Sequence, residues 1–193
     1  MDVTAVIFVR HGESISNTNN IITSDYRGFP LTETGKHQAA EAARELKTIH
    51  VDHLLTSPVQ RAQETAEIIS NVVGVKASVD ERIRESGMGP HNNKSLNEIP
   101  KKKRSELGME TWESHQERFL SAMHDVKGVS LMVSHAFPIR SAVAHFLDLD
   151  EDESYGINIR NGSITVIDLD SEKVLCIGSR HLTPRVRKYL GEK

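Results

Sequence analysis

The chain has 193 residues, a single cysteine and a formal net charge of −3. This length suits one compact domain, so we expect a single domain over residues 1–193, and one cysteine excludes an internal disulfide. The small net charge gives no electrostatic field that would attract nucleic acid or membrane lipid. The apolar run Ala5 to Val9 is far too short for a membrane span or a signal-peptide core. Together these two features predict a cytoplasmic protein that binds neither nucleic acid nor membranes.

The first half of the chain alternates predicted strands with predicted helices. Ala5 to Val9 is apolar and largely β-branched, which is typical of a strand buried on both faces. A helix is predicted from an N-cap at Thr32 to Lys47, because alanines recur there at helical spacing. Strands are predicted at 51–56 and 75–79. Between them, Ser57 and Pro58 predict the N-cap and first residue of a helix that ends near Ile69.

The second half begins with an irregular stretch. Residues 82 to about 110 lose the hydrophobic period and are rich in glycine, proline, asparagine and charge, so we predict an excursion over the active site there. A helix capped by Thr111 follows, with an apolar, core-facing stripe that begins at Trp112. A buried strand at 130–134 precedes a helix from about Pro138 to Leu147. Runs at 162–169 and 173–179 predict an antiparallel hairpin. The alternation indicates a layered α/β fold.

Charged side chains follow three of the predicted strands. Arg10 and His11 come directly after the first strand, Arg61 lies in the first turn of a helix after another, and His135 follows the strand at 130–134. Because the carboxyl ends of parallel strands meet at one edge of the sheet, one pocket can collect all four side chains. An imidazole can attack phosphorus, and forked guanidinium groups suit the negative oxygens of a phosphoryl group. The pattern therefore predicts phosphoryl transfer, with Asn17 as a further donor.

Four segments follow one another in the order and spacing of a known family. They are Arg10-His11-Gly12-Glu13-Ser14 with Asn17 and Leu31 to Gly35, then Ser57 to Ala66 around Arg61, then Glu85 with Gly87 and Gly89, and last Ser134-His135. From residue 6 to about residue 140 the chain resembles the histidine phosphatase superfamily, in its phosphoglycerate mutase branch. The resemblance implies a three-layer α/β/α sandwich with a mostly parallel central sheet.

The resemblance also implies a role for each side chain. His11 is the nucleophile, Glu85 is the proton donor, and the remaining side chains hold or line the phosphoryl group. No metal is implied, and no cofactor is needed for hydrolysis. The implied catalytic residues are His11, Glu85, His135, Arg10 and Arg61, and the implied phosphate-binding residues are Arg10, Asn17, Thr23, Arg61 and His135.

The chain departs from the mutases of this family after Glu85. They usually carry Arg-His-Tyr-Gly there, which helps to hold a carboxylated substrate, whereas this chain has Ser86-Gly87-Met88-Gly89. We therefore predict a metal-independent phosphomonoesterase for small phosphorylated metabolites. The alternative enzyme is a cofactor-dependent phosphoglycerate mutase, which would need 2,3-bisphosphoglycerate as a primer. The non-enzyme alternative is a binding module with weak or no catalysis on the same fold.

A short basic run, Lys101 to Arg104, lies within the irregular stretch. In a chain that is acidic overall, such a run is typical of a solvated face and less of a nucleic-acid patch. If the stretch overhangs the pocket, these side chains would instead draw anionic substrates inward. The natural substrate and a homodimeric state are both left open by the sequence.

Overall fold

The computed structural model describes residues 4–192. Eight strands and seven α-helices are present in this part of the chain. The strands are β1 (Ala5–Arg10), β2 (Ile21–Ile22), β3 (His53–Thr56), β4 (Ala77–Val79), β5 (Lys94–Ser95), β6 (Val129–Ser134), β7 (Ile164–Asp168) and β8 (Lys173–Ser179). The helices are α1 (Ile15–Thr18), α2 (Glu33–Leu46), α3 (Gln60–Val73), α4 (Trp112–His124), α5 (Ala136–Phe146), α6 (Glu151–Ser154) and α7 (Pro184–Tyr189).

Six of the strands form one central sheet in the order β4-β3-β6-β1-β7-β8. The first four strands in this order run parallel to one another. β7 is antiparallel to β1, and β8 is antiparallel to β7, so the predicted hairpin is confirmed. The predicted mostly parallel sheet is also confirmed. β1 lies inside the sheet, which explains its continuous apolar sequence.

Helices cover both faces of this sheet. Ile7 and Val9 of β1 pack into a core shared with α2, α3 and α7, whereas Val6 and Phe8 pack into a second core shared with α4 and α5. The alternation follows from the two-residue period of side chains along a strand. Phe8 stacks on Phe119 of α4 with the ring centroids 5.4 Å apart. The predicted three-layer α/β/α sandwich is confirmed.

Two predicted helix starts are wrong. The α3 helix begins at Gln60 with Val59 as its N-cap, and Ser57 does not cap it. The Ser57 hydroxyl lies two residues before the N-cap, where it accepts from Val59 N–H at 3.2 Å and is also hydrogen-bonded to His135 Nε2 at 2.8 Å. The α5 helix begins at Ala136, earlier than the predicted start near Pro138.

The helix α7 was not predicted from the sequence. Its signal was present, because Thr183 accepts a hydrogen bond from Val186 N–H as N-cap and Pro184 occupies the first turn. The short helices α1 and α6 have four residues each and too little sequence for a period to be visible.

Residues 81–110, the excursion segment, contain four 3₁₀-helices and β5. The segment has no long helix or strand. β5 pairs with β2 in a separate two-stranded sheet, which ties the segment to the chain that follows α1. Asn92 strengthens this tie, because its Nδ2 donates to Asp25 at 2.6 Å and its Oδ1 accepts from Ser24 N–H at 2.9 Å.

Candidate active site

Side chains from three strand ends meet at the carboxyl edge of the sheet. His11 follows β1, His135 follows β6, and Arg61 is the second residue of α3, the helix that comes after β3. Arg61 lies between the two histidines, with its Nε 3.1 Å from His11 Nε2 and its NH2 3.3 Å from His135 Nδ1. The two imidazole centroids are 5.1 Å apart, and all three side chains are buried.

The hydrogen bonds of His11 define its tautomer. Its Nδ1 lies 2.7 Å from the Gly12 carbonyl, which can only accept, so Nδ1 carries the proton. Its Nε2 accepts from Arg61 Nε and therefore holds a lone pair. Burial, reinforced by the charges of Arg61 and Arg10, lowers the pKa of His11 well below its usual value. His11 is consequently a neutral imidazole whose Nε2 is available as a nucleophile.

The loop after β1 is held by a close contact between two glycines. A Cβ on Gly12 would meet the Gly35 carbonyl oxygen at 2.2 Å, and a Cβ on Gly35 would meet the Glu13 carbonyl oxygen at 1.9 Å. Neither position can therefore hold a larger residue without moving the backbone. Gly12 N–H also donates to Thr65 Oγ1 of α3 at 3.1 Å. These contacts hold the backbone next to His11 in place.

Two guanidinium nitrogens in the site have no partner among residues 4–192. They are Arg10 Nε and Arg61 NH1, and both are buried. Each arginine is anchored through another nitrogen, since Arg10 NH1 donates to the Ile159 carbonyl at 2.7 Å and Arg61 NH2 donates to the Thr23 carbonyl at 3.1 Å. A buried donor without an acceptor costs about 1–3 kcal/mol. An anion placed between the two arginines would remove that cost.

Both arginines keep their charge despite burial. Burial lowers the pKa of Arg10 to about 10 and is only partly offset by the Glu85 carboxylate. Burial also lowers the pKa of Arg61, again against the attraction of Glu85. At neutral pH the site therefore holds two cationic guanidinium groups beside a neutral nucleophile.

His135 is held from two sides. Its Nδ1 lies next to Arg61 NH2, and its Nε2 lies 2.8 Å from the Ser57 hydroxyl. Because the guanidinium can only donate, Nδ1 accepts and Nε2 donates to Ser57 in this state. Burial, followed by the charge of Arg61, lowers the pKa of His135 well below its usual value. His135 is therefore also neutral here.

Glu85 brings a carboxyl group to the same pocket from the excursion segment. Its Oε1 accepts from the Ser86 N–H at 2.8 Å. Its Oε2 lies 4.0 Å from Arg61 NH2 and 3.7 Å from His135 Nδ1. Oε2 is thus the oxygen that faces the groups of the site.

A clamp formed by Arg118 and Glu110 holds the backbone around Glu85. Arg118 NH1 donates to the carbonyls of Arg82 and Arg84 at 2.6 and 3.0 Å, and its NH2 donates to the Glu85 carbonyl at 3.2 Å. Glu110 pairs with Arg118 at 2.7 and 2.9 Å and accepts from Gly87 N–H at 2.7 Å. Burial alone would raise the pKa of Glu110, but these hydrogen bonds outweigh it and lower that pKa to about 2.

Asn17 and Thr23 line the same inner cavity, which has a volume of about 210 Å³ and is also lined by Arg10, His11, Arg61 and Glu85. Asn17 Oδ1 accepts from the Ser14 N–H at 3.0 Å and from Asn161 Nδ2 at 3.2 Å, so the amide nitrogen is the part of Asn17 that remains for a ligand. Thr23 contributes its carbonyl to Arg61, while its hydroxyl accepts from Asp25 N–H. Apart from His135, every residue predicted for the site lines this cavity, and the catalytic roles stay predictions.

The basic run of the excursion segment divides between two environments. Lys101, Lys102 and Lys103 are exposed, as a solvated face requires. The same interpretation is wrong for Arg104, which is buried and donates to Ser86 Oγ at 2.6 Å, to the Gly87 carbonyl at 3.2 Å and to the Glu110 carbonyl at 3.0 Å. All four side chains line a second, larger cavity.

Sequence reasoning missed five residues that support the site. Ser57 and Thr65 fell inside a segment that resembles the family, so a signal existed for both. Nothing in the sequence pointed to Asn161, Glu110 or Arg118, because each acts through contacts across the fold. Within residues 4–192 no three histidine, cysteine, aspartate or glutamate side chains form a metal-ligand group, and no helix of this region has the length and apolarity to cross a membrane.

Comparison with known proteins agrees with this geometry. The model of the histidine phosphatase superfamily, branch 1, matches residues 6–178. The chain belongs to the histidine phosphatase superfamily. A 2,3-bisphosphoglycerate-dependent phosphoglycerate mutase from Thermoplasma acidophilum is 38% identical over 193 residues, which cover 95% of this chain and 96% of the relative.

Solved structures share the fold of this chain. YhfR from Bacillus stearothermophilus superposes with a TM-score of 0.80 at 23% identity, over 93% of this chain and 98% of the other. A mycobacterial glucosyl-3-phosphoglycerate phosphatase gives a TM-score of 0.74 at 19% identity, over 91% of this chain and 99% of the other. Proteins that are similar to this chain in sequence or in fold therefore carry both mutase and phosphatase names.

Proposed function

We propose that this chain is a phosphomonoesterase that works through a phosphohistidine on His11, without a metal ion. The observation that carries the proposal is the pair of buried, unpartnered donors Arg10 Nε and Arg61 NH1 beside the unprotonated Nε2 of a neutral His11. A phosphoryl group placed there has three negative oxygens for these donors and a phosphorus atom for the nucleophile. The charges it needs come from side chains of the protein.

In the first step His11 Nε2 attacks phosphorus, and the bond from phosphorus to the ester oxygen breaks. Glu85 enters this step protonated and gives its proton to the leaving oxygen, so the alcohol departs neutral. Gly12 supports the attack, because its carbonyl accepts from Nδ1 and stabilises the positive charge that develops on the imidazole ring.

In the second step water attacks the phosphohistidine. The carboxylate of Glu85 takes a proton from that water, the phosphorus–nitrogen bond breaks, and inorganic phosphate leaves. Arg10 and Arg61 hold the equatorial oxygens through both steps, and His135 can join them when its Nδ1 is protonated. Each step is easier than a direct displacement by water, because an activated nucleophile is in place before each bond breaks.

Hydrolysis and mutase activity differ only in what reaches the phosphohistidine. A mutase must exclude water while the second hydroxyl of its substrate is in place. The inner cavity of this protein adjoins an outer cavity of about 1100 Å³ and shares lining residues with it, so we expect water to reach the intermediate. Water access favours hydrolysis of small phosphorylated metabolites.

A phosphoglycerate mutase is the second candidate, because the 38% identical relative from Thermoplasma acidophilum carries that name. Two cationic side chains near the outer cavity, Arg104 and Arg140, would be available for the carboxylate of a phosphoglycerate. In that case 2,3-bisphosphoglycerate would be needed only to phosphorylate His11 at the start.

The first test is to trap the intermediate. Brief incubation with a ³²P-labelled phosphomonoester, followed by denaturation in alkali, should leave label on His11, since a phosphohistidine survives alkali and is lost in acid. His11→Ala should remain folded, retain no label and lose nearly all turnover, whereas the exposed His181→Ala should behave like the wild type. Label on a serine would overturn the mechanism.

The second test follows two products from one preparation. Inorganic phosphate released from simple monoesters and the interconversion of 3- and 2-phosphoglycerate are measured at matched concentrations, with and without bisphosphoglycerate. We expect phosphate release to exceed interconversion and to persist in excess EDTA. Primer-dependent interconversion that runs well ahead of phosphate release would establish the mutase instead.

A further inference from the structure

The outer cavity adjoins the inner cavity and is about 1100 Å³ in volume. The two cavities share Ile22, Met88 and Leu96 in their linings. The excursion segment forms one wall, and α5 and α6 with Tyr155 form the other. A group attached to a phosphoryl group in the inner cavity would therefore extend into the outer one. This volume exceeds the space that a glycerate fragment needs, so its lining predicts which larger group it takes.

One part of the lining is apolar and aromatic. Phe137 lines the cavity, and its ring centroid is 5.9 Å from that of Trp112 and 6.2 Å from that of Tyr155. Met88, Ile99 and Leu107 of the excursion segment line the same space. Such a surface binds an apolar or planar group by removing its area from water.

Another part of the lining is cationic. The Arg104 guanidinium lies 4.2 Å from the Phe137 ring centroid, and that of Arg140 lies 5.8 Å from Phe137 and 5.5 Å from the Tyr155 ring. Arg140 is anchored through Nε, which donates to the Ile157 carbonyl at 3.1 Å. Its NH1 and NH2 have no acceptor within residues 4–192, so a forked pair of donors is available to a ligand.

The two arginines lie within electrostatic reach of the reacting groups. Burial lowers the pKa of Arg140 and of Arg104, and the Glu85 carboxylate opposes that shift in both. An anion held by Arg140 would thus be separated from the phosphoryl group by a body that spans the aromatic part of the cavity. The exposed Lys101 to Lys103 at its margin add attraction for anions.

We propose that the outer cavity selects phosphomonoesters with an apolar or aromatic body and a second anionic group, which Arg140 binds through its free fork. The inference rests on the proposed phosphoryl-transfer function and adds a substrate class to it. Phe137 and Tyr155 contact the apolar body, while Arg104, already bonded to Ser86 and Gly87, contributes charge and holds the Phe137 ring. Arg140 is a specificity residue in this arrangement.

The test compares two esters whose leaving phenols have similar acidity, phenyl phosphate and 4-carboxyphenyl phosphate. The wild type should prefer the carboxylated ester in kcat/KM. In Arg140→Gln the ratio of the two kcat/KM values should fall about 10- to 100-fold, the range expected for a lost charge-assisted hydrogen bond. Arg140→Lys should restore part of it. Both esters meet the same fraction of folded enzyme, so partial unfolding leaves the ratio unchanged.

The matched control is Arg185→Gln, an exposed arginine of α7 outside both cavities, which should keep the wild-type ratio. The apolar and aromatic part of the lining is tested with Phe137→Ala. This variant should lower the ratio of kcat/KM for phenyl phosphate to that for glycerol 3-phosphate about tenfold. If the wild type hydrolyses phenyl phosphate but Arg140→Gln keeps the ratio, the substrate-class inference is wrong and the proposed function stands. If no monoester is hydrolysed at all, the proposed function itself fails.

Discussion

Replacing Arg118 by lysine tests whether the clamp on Glu85 serves catalysis as well as stability. The guanidinium of Arg118 makes two contacts to Glu110 and three to backbone carbonyls that end at Glu85. A lysine ammonium has three donors from one point and no fork, so it can keep the charge pair with Glu110 but not the set of carbonyls. The backbone carrying Glu85 would then be held by fewer bonds.

The expected losses follow from those contacts. Because lysine keeps the positive charge, the loss is that of two or three hydrogen bonds at about 0.5–1.5 kcal/mol each, which gives a destabilisation of about 1–4.5 kcal/mol. With a urea dependence of about 2 kcal/mol/M, the unfolding midpoint should fall by about 0.5–2 M. A general acid contributes about 10²–10⁴ in rate, so displacement of Glu85 should lower kcat about 10- to 100-fold for a poor leaving group.

The assay compares an alkyl ester, glycerol 3-phosphate, with 4-nitrophenyl phosphate. The nitrophenolate leaves without a proton donor, so Arg118→Lys should affect it far less than the alkyl ester. The matched control is Arg187→Lys on α7, because Arg187 forms an equally forked, partly buried arrangement with Glu45 and Glu192 away from the site. That variant should lose stability and keep the wild-type ratio of the two activities.

An equal loss on both substrates in Arg118→Lys would refute the reasoning about Glu85 and leave Arg118 with a structural role alone. An unchanged urea midpoint would refute the reasoning about the clamp itself. The ratio of activities separates the two conclusions, since it does not depend on the fraction of enzyme that is folded.

Three further changes test other parts of the site and fold. Arg61→Lys keeps the charge but loses the contacts to His11 and Thr23, so kcat/KM should fall about 10²-fold or more, and near-wild-type kinetics would place Arg61 outside the site. Ser57→Ala removes the partner of His135 Nε2 and should lower kcat/KM about tenfold in steady-state kinetics with the same esters. An unchanged kcat/KM would contradict this prediction. Burial lowers the pKa of His115 to about 4. The unfolded chain therefore binds a proton at this residue at a higher pH than the folded protein does, and the free energy of unfolding should fall by up to about 3 kcal/mol as the pH drops from about 6.5 to 4. His115→Gln should flatten this fall in urea titrations, and equal slopes in the variant and the wild type would contradict the prediction.

Local sequence was sufficient for much of the framework. The continuous apolar run of β1 and the N-caps Thr32 and Thr111 were visible without any tertiary information, and both caps accept the predicted hydrogen bonds, from Gly35 N–H and Ser114 N–H. Ser57 shows where such reasoning fails. Its pattern is that of an N-cap, yet it lies two residues before the N-cap Val59, and its hydroxyl bonds His135, 78 residues away in sequence, as well as Val59 N–H.

The residues that meet at the sheet edge can be identified from the chain alone. Arg10, His11, Arg61 and His135 follow parallel strands, and the geometry of such a sheet brings their positions to one edge whatever the details of packing. The sequence could not show the protonation of His11, the unpartnered nitrogens of Arg10 and Arg61, or the state of His135. These depend on burial and on distances of about 3 Å between groups far apart in the chain.

The conformation of the excursion segment depends on contacts with the rest of the fold. Its sequence has no period, and its basic run was consistent with a solvated face or with an anion-attracting margin. In the folded protein Arg104 is buried against Phe137, whereas the three lysines of the basic run are exposed. The Arg118–Glu110 clamp on Glu85 likewise joins residues whose sequence positions carry no common signal. Contacts of this kind depend on where loops rest on a folded core, and no local preference of the chain encodes that position.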